Sequence, residues 1–76
     1  MMIKVKNLKV GDLFFYSDGA ECPGGPPLWI KTKDKEDGQR CWAKVIYQAH
    51  NEGFRRWSAD REYHFESLQE KYVEVL

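Results

Sequence analysis

The sequence predicts a mostly β domain, a small barrel of five or six short antiparallel strands. Two observations carry this prediction. Segments of alternating apolar and polar residues recur along the chain, and turn-forming residues separate them at intervals typical of small all-β domains. A chain of 76 residues can bury one core and no more, so residues 1–76 are interpreted as a single domain. Closure or strong bending is what lets so short a sheet surround a core.

The first predicted elements are an extended arm and a strand. Residues 4–10 alternate through the arm, Gly11 and Asp12 make a turn, and residues 13–16 favour a strand because three of the four are aromatic. All three prolines fall within residues 17–27, where they cannot join a central ladder. That segment is therefore predicted to be a surface loop.

A long hairpin is predicted next. Residues 28–33 alternate with period two, and the polar run 34–38 ends in the glycine expected of a hairpin connection. Residues 40–49 alternate again. Their small apolar face is predicted to lie in the core (Cys41, Ala43, Val45, Tyr47, Ala49), and their other face is predicted to point outward (Arg40, Trp42, Lys44, Ile46, Gln48). A three-residue loop at 51–53 then leads into a strand at 54–58.

The stretch from 58 to 71 permits two interpretations. A helix satisfies the spacing of Phe65, Leu68 and Tyr72, with Ser58 as its cap. The β-prone triplet at 63–65 favours instead a strand at 62–65 and one helical turn near 67–69. We prefer the second interpretation. A closing strand is predicted at 72–75, where alternation is clear.

This order of elements is that of an SH3-like barrel: a long first loop, two successive hairpins, a single helical turn and a last short strand. Three segments, residues 8–14 (Leu-Lys-Val-Gly-Asp-Leu-Phe), 29–32 (Trp-Ile-Lys-Thr) and 73–75 (Val-Glu-Val), also carry a resemblance. In them the chain resembles small uncharacterised proteins of phages and bacterial mobile elements. The resemblance implies an SH3-like fold and an accessory role, with no activity or ligand attached.

Charge and composition narrow the function classes. Twelve basic and twelve acidic residues leave no formal net charge, so the broad positive field of a general DNA-binding protein is missing. The N-terminus alternates and lacks the apolar stretch of a signal peptide or membrane helix, which predicts a cytoplasmic protein without a membrane partner. Two cysteines are too few for a disulfide framework and are expected to be free thiols.

No catalytic or metal site is predicted. The chain holds the ligand types of a zinc site, but none of them forms the close pairs by which zinc modules fix half of the tetrahedron (Cys22, Cys41, His50, His64). Cys41 lies on the predicted core face, where an inert thiol is the ordinary state. We therefore expect no enzyme activity and no cofactor.

Tryptophans beside basic residues are the most informative pattern. If Leu28 and Ile30 point inward, one outer face of the sheet carries the residues predicted to bind a partner (Trp29, Lys31, Trp42, Lys44, Arg55, Arg56, Trp57). Aromatic and arginine side chains are enriched at binding surfaces. The alternative is that a bent sheet tucks the tryptophans into a second small core under lysine methylenes.

The sequence thus predicts a non-enzymatic protein-interaction module. The alternative function is binding of single-stranded nucleic acid, with bases stacked on the tryptophans and phosphates met by the lysines and arginines. A homodimer is a third expectation, because an exposed aromatic strand face can pair with its own copy.

Overall fold

A computed structural model of the chain describes residues 1–17, 25–34, 41–48, 57–65 and 68–76. A 3-10 helix at Val5–Asn7 follows the first of the six strands found in these residues. The strands are β1 (Met2–Lys4), β2 (Leu13–Phe15), β3 (Leu28–Asp34), β4 (Cys41–Tyr47), β5 (Tyr63–His64) and β6 (Tyr72–Val75).

All six strands belong to one antiparallel sheet, in the order β1-β6-β2-β3-β4-β5. The prediction of a mostly β domain is confirmed. Closure into a barrel is not observed, because β1 and β5 form the two edges and no pairing joins them within the described part of the chain. The C-terminal strand β6 lies inside the sheet, between β1 and β2.

Most predicted strands lie within one or two residues of their observed positions, and the closing strand at 72–75 is confirmed as it stands. A helix over 58–71 is wrong, since β5 occupies its middle. The single turn is confirmed where it is described: Leu68 N donates to Phe65 O at 3.0 Å and Lys71 N donates to Leu68 O at 2.9 Å. Trp57 and Ser58 lie outside any strand, contrary to the predicted strand at 54–58, whose other residues fall outside the described part.

The N-terminal arm is not extended throughout. The 3-10 helix is closed by Leu8 N, which donates to Val5 O at 3.1 Å. Val5 N donates to Lys71 O (2.9 Å) and Lys6 N donates to Gln69 O (3.1 Å), which joins the helix to the segment before β6. The bend drops Val5 and Leu8 into the core, where an extended arm would have left one of them in solvent. The predicted turn at Gly11 is confirmed, and its positive φ of 95° is one that glycine adopts without strain.

Register shifts in the β3–β4 hairpin decide which side chains are buried. Trp29 lies opposite Val45 and Lys31 lies opposite Ala43, so all four share the core face. The register shifts between Leu28 and Trp29 and again between Lys31 and Lys33. Each irregularity inserts one extra residue and reverses the alternation beyond it.

Trp29 forms the centre of the core. Its ring meets those of Trp57 and Phe65, each at 5.2 Å between centroids, and those of Tyr63 at 5.9 Å and Tyr16 at 6.3 Å, all edge to face. The indole Nε1 donates to Tyr16 O at 3.2 Å, so the buried polar atom is satisfied. The remaining core residues come from every part of the described chain (Val5, Leu8, Phe14, Cys41, Ala43, Val45, Phe65, Val73).

Candidate interaction surface

Trp42 is held on the outer face of β4, at the end of the sheet formed by β3, β4 and β5. Its neighbours along β4, Cys41 and Ala43, point into the core, so alternation turns Trp42 to the outer face. Its partners on the adjacent strands are Lys33 on β3 and His64 on β5. The Lys33 ammonium lies 5.2 Å from the centroid of the Trp42 ring, within the range of a cation–π contact. The His64 ring lies 5.2 Å away on the other side, inclined by 64°. Two neighbouring strands therefore fix this indole in a half-buried position.

A small polar network supports the lysine beside Trp42. Thr32 Oγ1 donates to Glu62 Oε2 at 2.7 Å, and the same carboxylate oxygen lies 3.9 Å from Lys33 Nζ. Lys33 is 59% exposed, so this ion pair contributes little to stability.

The surface around Trp42 carries positive charge with one acidic neighbour. Lys44 follows two residues along the same face of β4. The acidic neighbour is Asp60, whose pKa is lowered. The main cause is the hydrogen bond that the Ser58 hydroxyl donates to it, and the positive charge of Lys44 lowers this pKa further. We define the Trp42 surface as Trp42, Lys33, Lys44 and His64.

Two of the residues predicted for the binding face are buried, so their predicted exposure is wrong. Trp29 is 0% exposed and Lys31 is 2% exposed. Alternation separated the two faces of this strand but could not say which one faces the core. The lysine at position 31 favoured the wrong choice, because lysine is seldom buried. Its Nζ donates to Leu8 O inside the fold.

Trp57 is also drawn toward the core, where it covers Trp29. Gln48 holds this segment by two hydrogen bonds: its Nε2 donates to Trp57 O at 2.6 Å, and its Oε1 accepts from Trp57 N at 3.1 Å. The second interpretation of the tryptophans, burial in a core, therefore applies to Trp29 and in part to Trp57. Arg55 and Arg56 lie outside the described residues.

Trp42 and Lys44 do lie on the outer face, as the sequence predicts, although Lys44 is half-buried. Sequence reasoning missed Lys33 and His64. The irregularity at Thr32 moves Lys33 to the outer face, and no residue pattern marks it. His64 could have been found by pairing the predicted strand at 62–65 with residues 40–49. Tyr47, predicted to be in the core, is 65% exposed, because the irregularity opposite Leu28 turns it outward.

Among the residues that the structure describes, no three His, Cys, Asp or Glu side chains cluster as metal ligands would. Cys22 and His50 fall outside those residues, Cys41 is buried and His64 is exposed. A shallow pocket of about 230 Å³ beside Ile46, Tyr47 and Ala59 is smaller than the usual small-molecule site of about 300–1,000 Å³.

Comparisons with protein-family models, curated proteins and solved structures found no match. The resemblance to phage and mobile-element proteins thus stays a prediction. Within the described segments, no helix has the length and apolar character needed to cross a membrane.

Proposed function

We propose that this chain is a non-enzymatic protein-interaction module that binds a larger protein through the Trp42 surface. The observation that carries the proposal is the position of Trp42, which is fixed by Lys33 and His64 on the open face of the sheet. Tryptophan is among the residues that most often dominate binding energy. An indole that is already fixed also loses little side-chain entropy on binding.

Charge suggests the form of the partner. The Lys33 ammonium lies 5.2 Å from the centroid of the Trp42 ring, and Lys44 lies two residues along the same face of β4. A matching partner surface offers an apolar socket for the ring and carboxylates at its rim, which steer the encounter and set the register. The proposal includes a cytoplasmic setting, and the resemblance noted in the sequence adds a phage or mobile-element origin to it.

Single-stranded nucleic acid is the second candidate, and the arrangement of the tryptophans favours it less. Stacking contributes about 1–3 kcal/mol per base, so a chain without net charge needs several stacked bases. Of the three tryptophans, Trp42 alone lies on the outer face in the described part of the chain.

Affinity capture with three baits tests the proposal: the native chain, Trp42→Ala and Tyr72→Ala. Tyr72 is an exposed aromatic residue on β6 and serves as the matched control. We expect one or more proteins to be recovered with the native chain and with Tyr72→Ala. Binding to Trp42→Ala should weaken by about 2 kcal/mol or more, roughly 30-fold in affinity.

Two results would contradict the proposal. One is equal recovery of the same proteins with all three baits, and the other is recovery of none. Quenching of tryptophan fluorescence by an oligothymidylate at low salt, lost in Trp42→Ala, would instead support the nucleic-acid candidate.

A further inference from the structure

The outer face of the two strands at the middle of the sheet is apolar. Leu13 lies opposite Ile30, and Phe15 lies opposite Leu28, so these four side chains form two adjacent rows on β2 and β3. All four are partly exposed. The outer face of an antiparallel sheet ordinarily carries polar residues. We define these four residues as the central apolar patch.

Opposite charges flank the central apolar patch on its two sides. Glu74 on β6 lies opposite Phe15, and Lys44 on β4 lies opposite Ile30. Glu74 is 52% exposed, and its carboxylate lies 3.2 Å from the amine of Met1 in an exposed pair that is readily exchanged. Among the described residues, no carboxylate lies within ion-pair distance of Lys44, and Asp60 is the acidic neighbour whose pKa its charge helps to lower.

We propose that a second copy of this chain covers the central apolar patch in a two-fold symmetric dimer. An apolar centre with a carboxylate on one side and an ammonium on the other is complementary to itself under two-fold rotation. An axis that lies between the facing sheets, along the boundary of β2 and β3, places Leu13 over the partner copy's Ile30 and Phe15 over its Leu28. The same rotation places β6 of each copy over β4 of the other.

Glu74 and Lys44 then meet across the interface twice, once on each side. They lie one row apart along the strands, a distance of about 7 Å, which the long lysine side chain and the usual crossing angle of packed sheets can span. The two ion pairs fix the register of the dimer, while the apolar rows supply most of its stability.

The dimer is expected to be weak. The four strands that take part span a width of about 19 Å, which falls short of the roughly 800 Å² per partner of a standard interface. We expect a dissociation constant of roughly tens to hundreds of micromolar, because interfaces below the standard size occur in weak, transient complexes. The inference goes beyond the proposed function, because its contacts centre on β2 and β3, and Lys44 is the one residue that it shares with the Trp42 surface.

Reversing the charge of Lys44 or of Glu74 tests this arrangement. Sedimentation equilibrium from about 10 µM to 1 mM should show the native chain dimerising across this range. Lys44→Glu and Glu74→Lys should each weaken self-association by tenfold or more, because two-fold symmetry counts each unfavourable contact twice. An equimolar mixture of the two variants should form a heterodimer of about native affinity, since every contact between them pairs opposite charges.

The mixture also controls for folding, because a misfolded variant cannot form a dimer of native affinity. A native chain that remains monomeric at 1 mM would overturn the inference, and so would a dimer that the two substitutions leave unchanged. Glu74→Lys should also retain any protein captured through Trp42. Failure of the dimer is therefore distinguishable from failure of the proposed function.

Discussion

The two tryptophans on neighbouring strands β3 and β4 occupy opposite environments. Trp29 is surrounded by four aromatic rings and has its Nε1 hydrogen satisfied by Tyr16 O. Trp42 meets one ring and one ammonium at the surface. The same residue type therefore has a structural role at one position and is open to a partner at the other.

The first prediction compares the effect of the same substitution, to alanine, at each of these two positions. Trp29→Ala should lower the free energy of unfolding by about 3–5 kcal/mol, through lost burial and a large cavity. Trp42→Ala should lower it by no more than about 1 kcal/mol, because the partly exposed ring lies on the outer face and its removal leaves no closed cavity. Urea unfolding of both variants measures the difference. If Trp42→Ala were the more damaging change, the faces of the sheet would be assigned wrongly.

Lys31 is a second residue at which burial decides the outcome. Its Nζ donates to the carbonyl oxygen of Leu8, and its backbone N and O bond to Asp12 O (3.0 Å) and Gly11 N (2.9 Å). The backbone bonds thus join the turn that precedes β2 to the middle of β3, and the side chain adds a bond to the residue before that turn. It leaves the carbonyl of Leu8 satisfied inside the fold.

The second prediction follows from that hydrogen bond. Lys31→Met keeps most of the side-chain volume but leaves the buried Leu8 carbonyl without its donor, so the free energy of unfolding should fall by about 1–3 kcal/mol. Lys33→Met, two residues along the same strand and 59% exposed, is the control and should change stability by about 0.5 kcal/mol or less. Chemical denaturation gives both values. Equal effects would mean that the burial of Lys31 has no energetic consequence.

At the scale of elements, Glu70 joins the N-terminal strand to the last turn. Its carboxylate accepts hydrogen bonds from Lys6 Nζ at 2.8 Å and Lys4 Nζ at 2.9 Å. These bonds, Lys6 first, lower the pKa of Glu70 from 4.5 to about 2. The same pairing raises the pKa of Lys4.

The third prediction concerns acid stability. Because the pKa of Glu70 is lower in the folded chain, its contribution is fully present above pH 4.5 and is lost as the pH falls from 4.5 toward 2. Thermal melts of the native chain should show a steeper loss across this window than melts of Glu70→Gln, and the two proteins should converge near pH 2. Glu74→Gln, which removes an exposed carboxylate with another partner, is the control. The prediction would be contradicted if the melting temperatures of the native and Glu70→Gln chains fell in parallel across this pH window.

The β3–β4 hairpin shows what alternation can and cannot predict about an element. From Cys41 to Val45 the period-two pattern is unbroken, and the predicted core face is confirmed. The pattern fails at Tyr47, beyond an irregularity that no glycine or proline marks in the sequence. On β3 both faces carry large apolar residues, so the choice between Trp29 and Ile30 depends on register, which the neighbouring strands set.

For the whole molecule, the sequence was sufficient for the fold class and insufficient for the site. Strands can be predicted from local sequence, because β-branched and aromatic residues favour them. The Trp42 surface cannot, because it joins side chains from β3, β4 and β5. Its members Lys33 and His64 are 31 residues apart, and only the pairing of the strands brings them to one indole. Likewise, the order of the strands places β6 between β1 and β2, which no local pattern predicts.

The fourth prediction follows from that strand order. Met2 pairs with Glu74, so one end of the sheet cannot form until the two ends of the chain meet. β2 likewise acquires its partner β6 from far along the sequence. Folds with a large share of such distant pairings fold in milliseconds to seconds. We therefore expect refolding rate constants of about 1–1,000 per second at 25 °C, against the microseconds of small helical proteins.

Stopped-flow fluorescence can follow this reaction through Trp29, whose ring passes from water into the core. Val73→Ala, which truncates a side chain that is 3% exposed on β6, supplies the comparison for the late joining of this strand. If β6 docks after the rate-limiting step, Val73→Ala should accelerate unfolding and leave refolding nearly unchanged. Val45→Ala, on the hairpin between β3 and β4, should slow refolding, because that hairpin closes the shortest loop among the long strands. Refolding in microseconds, or equal effects of the two substitutions on the refolding rate, would contradict a folding order imposed by the sheet topology.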